Sequence, residues 1–120
     1  MTAQEIADEL DDYYGQISSP IDKDNPTGLI DDLGKRCQLL ARSAVLLADA
    51  QFIHDKARGM ECDAPGVAGM SATLMREYLT GACASEARLV TLAERLNSTL
   101  VHQVDSLRTM ISYVKQTMNA

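Results

Sequence analysis

The sequence predicts an all-α protein: an elongated helical hairpin or bundle, with two long antiparallel helices, one or two short ones, and completion by self-association. Three observations lead there. The chain holds one Phe, four Tyr and no Trp among its 120 residues, so its core must come from Leu, Ile, Val, Met and Ala. Unbranched and γ-branched residues plus Ala favour helix over sheet, where β-branched and aromatic residues concentrate. Next, apolar residues recur from Ser85 to Met118 at Leu89, Leu92, Ala93, Leu96, Leu100, Val104, Leu107, Met110, Ile111, Val114 and Met118, with no Pro or Gly between them. Gaps of three and four residues place them on one stripe of a helix roughly 50 Å long. Finally, a domain of this length has a radius of gyration of about 14 Å, so a helix of that length forces an elongated molecule.

The elements follow in chain order, within a single domain. Thr2-Ala3-Gln4-Glu5 has the form of a capping box, a hydroxyl followed three residues later by Glu. A helix is expected over about 2–16, with Ile6, Leu10, Tyr13 or Tyr14, and Ile17 turned inward. Residues 17–26 contain Ser18-Ser19-Pro20 and end at Asn25-Pro26, which reads as a linker. Asn25 before Pro26 suits an N-cap and first helical position, opening a long helix over about 27–58. Asp31 and Asp32 oppose the positive helix end, and Lys56 and Arg58 the negative end, with Gly59 expected just past it. The apolar stripe of this helix reads as Leu29 or Ile30, Leu33, Cys37, Leu40, Ala44, Leu47, Ala48 and Phe52.

Residues 59–70 hold Pro65, Gly66 and Gly69 and are expected to form a loop. Ser71 can cap a third helix over 71–82 carrying Leu74, Met75, Tyr78 and Leu79. Small residues from Thr80 to Ser85 then leave two outcomes: a separate helix over 84–118, or one helix from Ser71 to Met118 bent at Gly81. The face shared by Met75, Leu79, Ala82, Leu89, Ala93 and Leu96 favours the continuous form. No internal repeat of 20 to 50 residues is visible.

Assembly follows from helix length. Two long helices and two short ones do not easily cover a wide apolar stripe, and a second copy would complete a four-helix bundle, most simply with two-fold symmetry. The expected self-association stripe is Leu89, Leu96, Leu100, Gln103, Val104, Leu107, Met110, Ile111 and Val114. Asn97, Ser98, Thr99, His102 and Gln103 are its polar interruption, and Gln103 falls at a seam position where a buried polar group selects register; a slight helix rotation would instead turn it outward.

Charge narrows the function classes. The formal net charge is −6, and residues 1–33 hold nine acids against Lys23 alone. That balance disfavours broad attraction to nucleic acid or anionic lipid. Arg88, Arg95 and His102 share one face of the last helix, with Arg108 and Lys115 beside it, but Glu94 and Asp105 interleave and no aromatic platform is nearby. The N-terminus lacks the basic and apolar regions of a secretory signal, and no run of apolar residues is long enough to span a membrane. Three widely spaced cysteines, Cys37, Cys62 and Cys83, suit free thiols in a reducing cytoplasm.

Catalytic patterns are weak. His54, Asp55, Cys62, Asp63 and His102 are zinc-ligand types, yet no Cys-x-x-Cys, His-x-x-x-His or Glu-x-x-His spacing joins them. Acidic all-α hydrolases hold magnesium between paired carboxylate turns on facing helices. Glu5 with Asp8, or Glu9 with Asp12, gives one such pair, but adjacent Asp31 and Asp32 diverge by about 100° and cannot supply the other. Cys62 is the thiol best placed to be a nucleophile, but no base is placed beside it. The alternatives therefore stand behind an interaction role: a small enzyme or metal protein using the helix-one acids or the His54/Cys62 region, or a nucleic-acid-associated protein using Arg88 and Arg95. The favoured expectation is a non-catalytic accessory protein without a cofactor, of the make-up a phage or mobile element would encode. Asp8, Asp11, Asp12, Tyr13 and Tyr14 would form its partner surface, an acidic helix with aromatic anchors that could also imitate a track of phosphates.

Overall fold

A computed structural model describes residues 1–118. Its four α-helices are α1 (Ala3–Ile17), α2 (Pro26–Cys62), α3 (Ala72–Ala82) and α4 (Ala84–Met118), with a 3₁₀ turn at Val67–Gly69. No strand occurs among the described residues. The molecule is a rod of 72 × 26 × 18 Å with a radius of gyration of 20.1 Å, well beyond the globular value.

Local chemistry sets the helix starts. The Thr2 hydroxyl accepts from the Glu5 N–H at 3.2 Å, the Asn25 side chain from Gly28 N–H at 3.1 Å, and the Ser71 hydroxyl from Leu74 N–H at 3.2 Å. Each satisfies one donor that a helix start leaves free. Pro26 occupies the first turn of α2, where its missing N–H costs nothing. At the other end α2 runs past the expected boundary: Gly59 lies inside the helix, and Asp63 is its C-cap. Gly66 takes φ 88°, the left-handed conformation only glycine adopts without strain, and turns the chain so that Val67 is buried.

The expectation of one continuous helix from Ser71 to Met118 is corrected. The chain breaks at Cys83, whose φ of −107° and ψ of 22° leave the helical region. The break falls two residues after Gly81, and the buried Cys83 side chain occupies the corner.

Helices α2 and α4 form the antiparallel hairpin, as the Arg36–Gln103 and Ser43–Asn97 pairings show. Helix α1 lies in one of its two grooves, antiparallel to α2 and parallel to α4. Ile6, Leu10 and Ile17 of α1 pack with Leu46 and Ala50 of α2 and with Leu89, Ala93, Leu96 and Leu100 of α4. The seam on α2 repeats every seven residues through the buried Leu29, Arg36, Ser43 and Ala50, the period of coiled-coil packing.

That register corrects the stripe read for α2. Ala44, Ala48 and Phe52 are exposed, and Cys37, Leu40 and Leu47 are half-buried at the margin of the seam. Two of the true seam positions carry Arg36 and Ser43, so apolar periodicity does not mark them. The inference that the chain cannot hide its own α4 stripe is corrected too. Leu89, Leu96, Leu100, Val104 and Leu107 are all buried within the single chain. Helix α1 covers one flank of that stripe while α2 covers its centre.

Candidate interaction surfaces

Two polar layers cross the hairpin and set how its helices meet. In the first, Arg36 is 5% exposed. Its Nε donates to Gln103 Oε1 at 2.8 Å and its Nη2 to the Ser19 carbonyl at 3.4 Å, with Asp32 3.8 Å away. Gln103 Nε2 in turn donates to the Ile17 carbonyl at 3.1 Å. Gln103 therefore does lie at the seam, and its partners are the end of α1 and the middle of α2. In the second layer, Asn97 Nδ2 donates to the fully buried Ser43 hydroxyl at 2.9 Å, and that hydroxyl donates to the Leu40 carbonyl at 2.8 Å. No buried side-chain nitrogen or oxygen among the described residues lacks a partner. Such satisfied layers fix relative register, because sliding by a turn would strand each group.

The acidic surface expected on α1 divides in two. Asp8, Asp11 and Asp12 are exposed, Asp8 accepting from Gln4 and Asp12 from Gln16 along the same helix. Tyr13 and Tyr14 instead pack against the core. The Tyr14 hydroxyl donates to the Leu92 carbonyl at 3.0 Å, and burial pushes its pKa up. Tyr13 donates to Glu9 at 3.1 Å, and Glu9 receives Arg42 through both oxygens at 3.1 and 3.2 Å. The aromatic pair thus fastens α1 to the hairpin, leaving the acids as the outward surface.

The far end of the hairpin, beyond α1, is a two-helix segment. Here Met110, Ile111 and Val114, the distal part of the stripe, are half-buried. Together with Pro26 and Tyr113, Met110 and Val114 line an open apolar groove of about 620 Å³ bordered by Lys23 and Asp24. A third surface is the outer side of α2, where Ile30, Val45 and Phe52 are exposed.

The candidate ligand and nucleophile residues do not converge among the described residues. His54 is half-buried with Nδ1 3.6 Å from Asp55, and Cys62 is exposed. Among the described residues no three His, Cys, Asp or Glu side chains gather as a metal site. Glu61 instead accepts from the Tyr78 hydroxyl at 2.7 Å and ties α3 to α2, which raises the Tyr78 pKa. Burial likewise pushes the Cys83 thiol up, away from the thiolate that a nucleophile needs. Arg88, Arg95 and His102 are exposed on α4, and Arg95 borders a shallow hollow with Tyr14 and Leu92. No described helix is long and apolar enough to cross a membrane. No family model matches this chain, and no curated protein or solved structure matches it either.

Proposed function

We propose that this chain is a non-catalytic, self-associating helical accessory protein that presents the acidic side of α1 to a protein partner in the cytoplasm. The observation that carries the reading is surplus surface. The chain exposes 7835 Å² at a mass of 13.1 kDa. A compact monomer of that mass exposes about 6,400 Å², so the surplus is about 1,400 Å². That surplus comes with the rod's 72 × 26 × 18 Å shape, and on it Ile30, Val45, Phe52 and Tyr113 stand exposed as apolar surface that a partner would cover.

Asp8, Asp11 and Asp12 stand on the outward side of α1 and are free of ion pairs among the described residues, which suits recognition of a basic surface. Free Cys37, Cys62 and Cys83 support the cytoplasmic part of the reading. Light scattering combined with small-angle X-ray scattering tests the assembly, with a mass of at least twice 13.1 kDa expected. A 13.1 kDa particle at every concentration up to several hundred micromolar would overturn it.

A further inference from the structure

We infer that the second copy packs into the groove of the hairpin opposite α1, its α4 antiparallel to this α4 across a two-fold axis at Val101. That a copy binds rests on the self-association proposed above; where it binds rests on the charges along α4. Helix α1 is fastened to the Arg42 side of α2 and to the Leu92 side of α4, so it fills one groove and leaves the other open. Half-buried Leu33, Leu40 and Leu47 of α2 and Val90 and Ile111 of α4 border the open groove, and Val101 is 40% exposed at its middle.

The charges along that groove are ordered. At about 100° per residue, Glu86, Glu94, Arg108 and Lys115 lie on the flank of α4 that carries Val90 and Val101. Both acids precede Val101 and both bases follow it. Glu94 and Arg108 each stand seven residues from Val101, about 10 Å along the axis. Glu86 and Lys115 stand fifteen and fourteen residues from it. None of the four is in an ion pair among the described residues. The preference of helix ends for opposing charge does not account for Glu94 and Arg108, because it fades within the first and last turn. Nor does the order hold all round α4. Arg88 and Arg95 share the half of the acids but lie on the α1 side, and Asp105 lies outward in the half of the bases.

This order identifies the occupant. An antiparallel copy of α4 centred on Val101 sets each Glu94 opposite the copy's Arg108 and each Glu86 beside its Lys115, so every pair is of opposite charge. Helix α4 runs from Ala84 to Met118, and two such helices then overlap end to end. A parallel copy would instead set Glu94 against Glu94 and Arg108 against Arg108. Packing α4 on the copy's α2 would leave Glu94 and Arg108 nothing to meet. Between Ile30 and Gln51 the charged residues of α2, which are Asp31, Asp32, Lys35, Arg36, Arg42 and Asp49, fall in the seam or on the α1 side. Complementary charge fixes orientation and partner more than strength, and the apolar groove supplies the contact area. The acids of α1, on the far side, stay free for the partner proposed above.

Charge reversal in the full chain tests the pairing, read as the dimer dissociation constant from sedimentation at low salt. E94R or R108E alone should weaken the dimer roughly ten- to a hundredfold, since each turns two pairs of opposite charge into pairs of like charge. E94R/R108E should return the constant to within about threefold of wild type, because every pair is again opposite. V101D should bring the mass down to 13.1 kDa with helix content unchanged, as Val101 is already exposed in the single chain. A double reversal no tighter than the single ones would overturn the antiparallel pairing, as would single reversals without effect or V101D at the wild-type mass. If M110K alone separates the copies, the distal groove holds the contact, and this placement fails while self-association stands. A wild-type mass of 13.1 kDa at every concentration removes both.

Discussion

The Arg36–Gln103 layer makes a quantitative prediction about what holds the hairpin in register. Replacing Gln103 by Leu removes the nearest acceptor of a guanidinium that is only 5% exposed, and also removes the donor to the Ile17 carbonyl. A hydrogen bond to a charged group contributes about 1.5–3 kcal/mol and a neutral one about 0.5–1.5 kcal/mol. Part of that loss returns through the apolar surface of Leu, so Q103L should destabilise by about 2–4 kcal/mol. R36M removes the same charged bond but leaves no buried cation, and half-buried Gln103 can turn its amide to water. Its cost should be about 1–2 kcal/mol. In R36M/Q103L neither group is stranded, so the double variant should be no worse than Q103L alone, with a coupling of at least about 1 kcal/mol. Urea unfolding followed by circular dichroism at one fixed protein concentration measures all four corners of the cycle. Costs that add to within about 0.5 kcal/mol would refute a coupled buried layer.

Two further predictions concern the core and α1. Leu100 has no exposed surface within one chain, so L100A should destabilise by about 2–5 kcal/mol, and L100D should unfold the hairpin rather than release intact monomers. A helical L100D monomer would show that α1 and α2 do not cover this position. Burial raises the Tyr14 pKa above its ordinary 10.0. The neutral phenol is therefore favoured in the folded state. Its contribution is complete below pH 10 and is lost as pH rises through the higher folded value. Urea unfolding at a series of alkaline pH values should show wild type losing stability more steeply than Y14F as pH rises, and equal slopes would count against the Tyr14–Leu92 contact.

Much of the rod was legible because helix chemistry is local. The Thr2, Asn25 and Ser71 caps, Pro26 in the first turn, and the three-and-four spacing from Leu89 to Leu107 all act within a few residues of chain. Those features determined the all-α class, the two long helices and the elongation. The inward face of α1 was readable for the same reason: Ile6, Leu10 and Ile17 are the apolar residues at helical spacing.

What tertiary structure decided was which face of each helix meets which. On α2 two faces compete, and apolar periodicity cannot rank them, because Arg36 and Ser43 occupy the real seam while Ile30, Ala48 and Phe52 stand outside. A buried arginine is tolerable there only because Gln103 and Ser19 arrive from elsewhere in the chain. Likewise α1, contributed from the far end of the sequence, covers the α4 stripe that spacing alone left open. Helix identity is a property of neighbours along the chain, whereas burial is a property of neighbours in space, and only the folded rod brings the second set together.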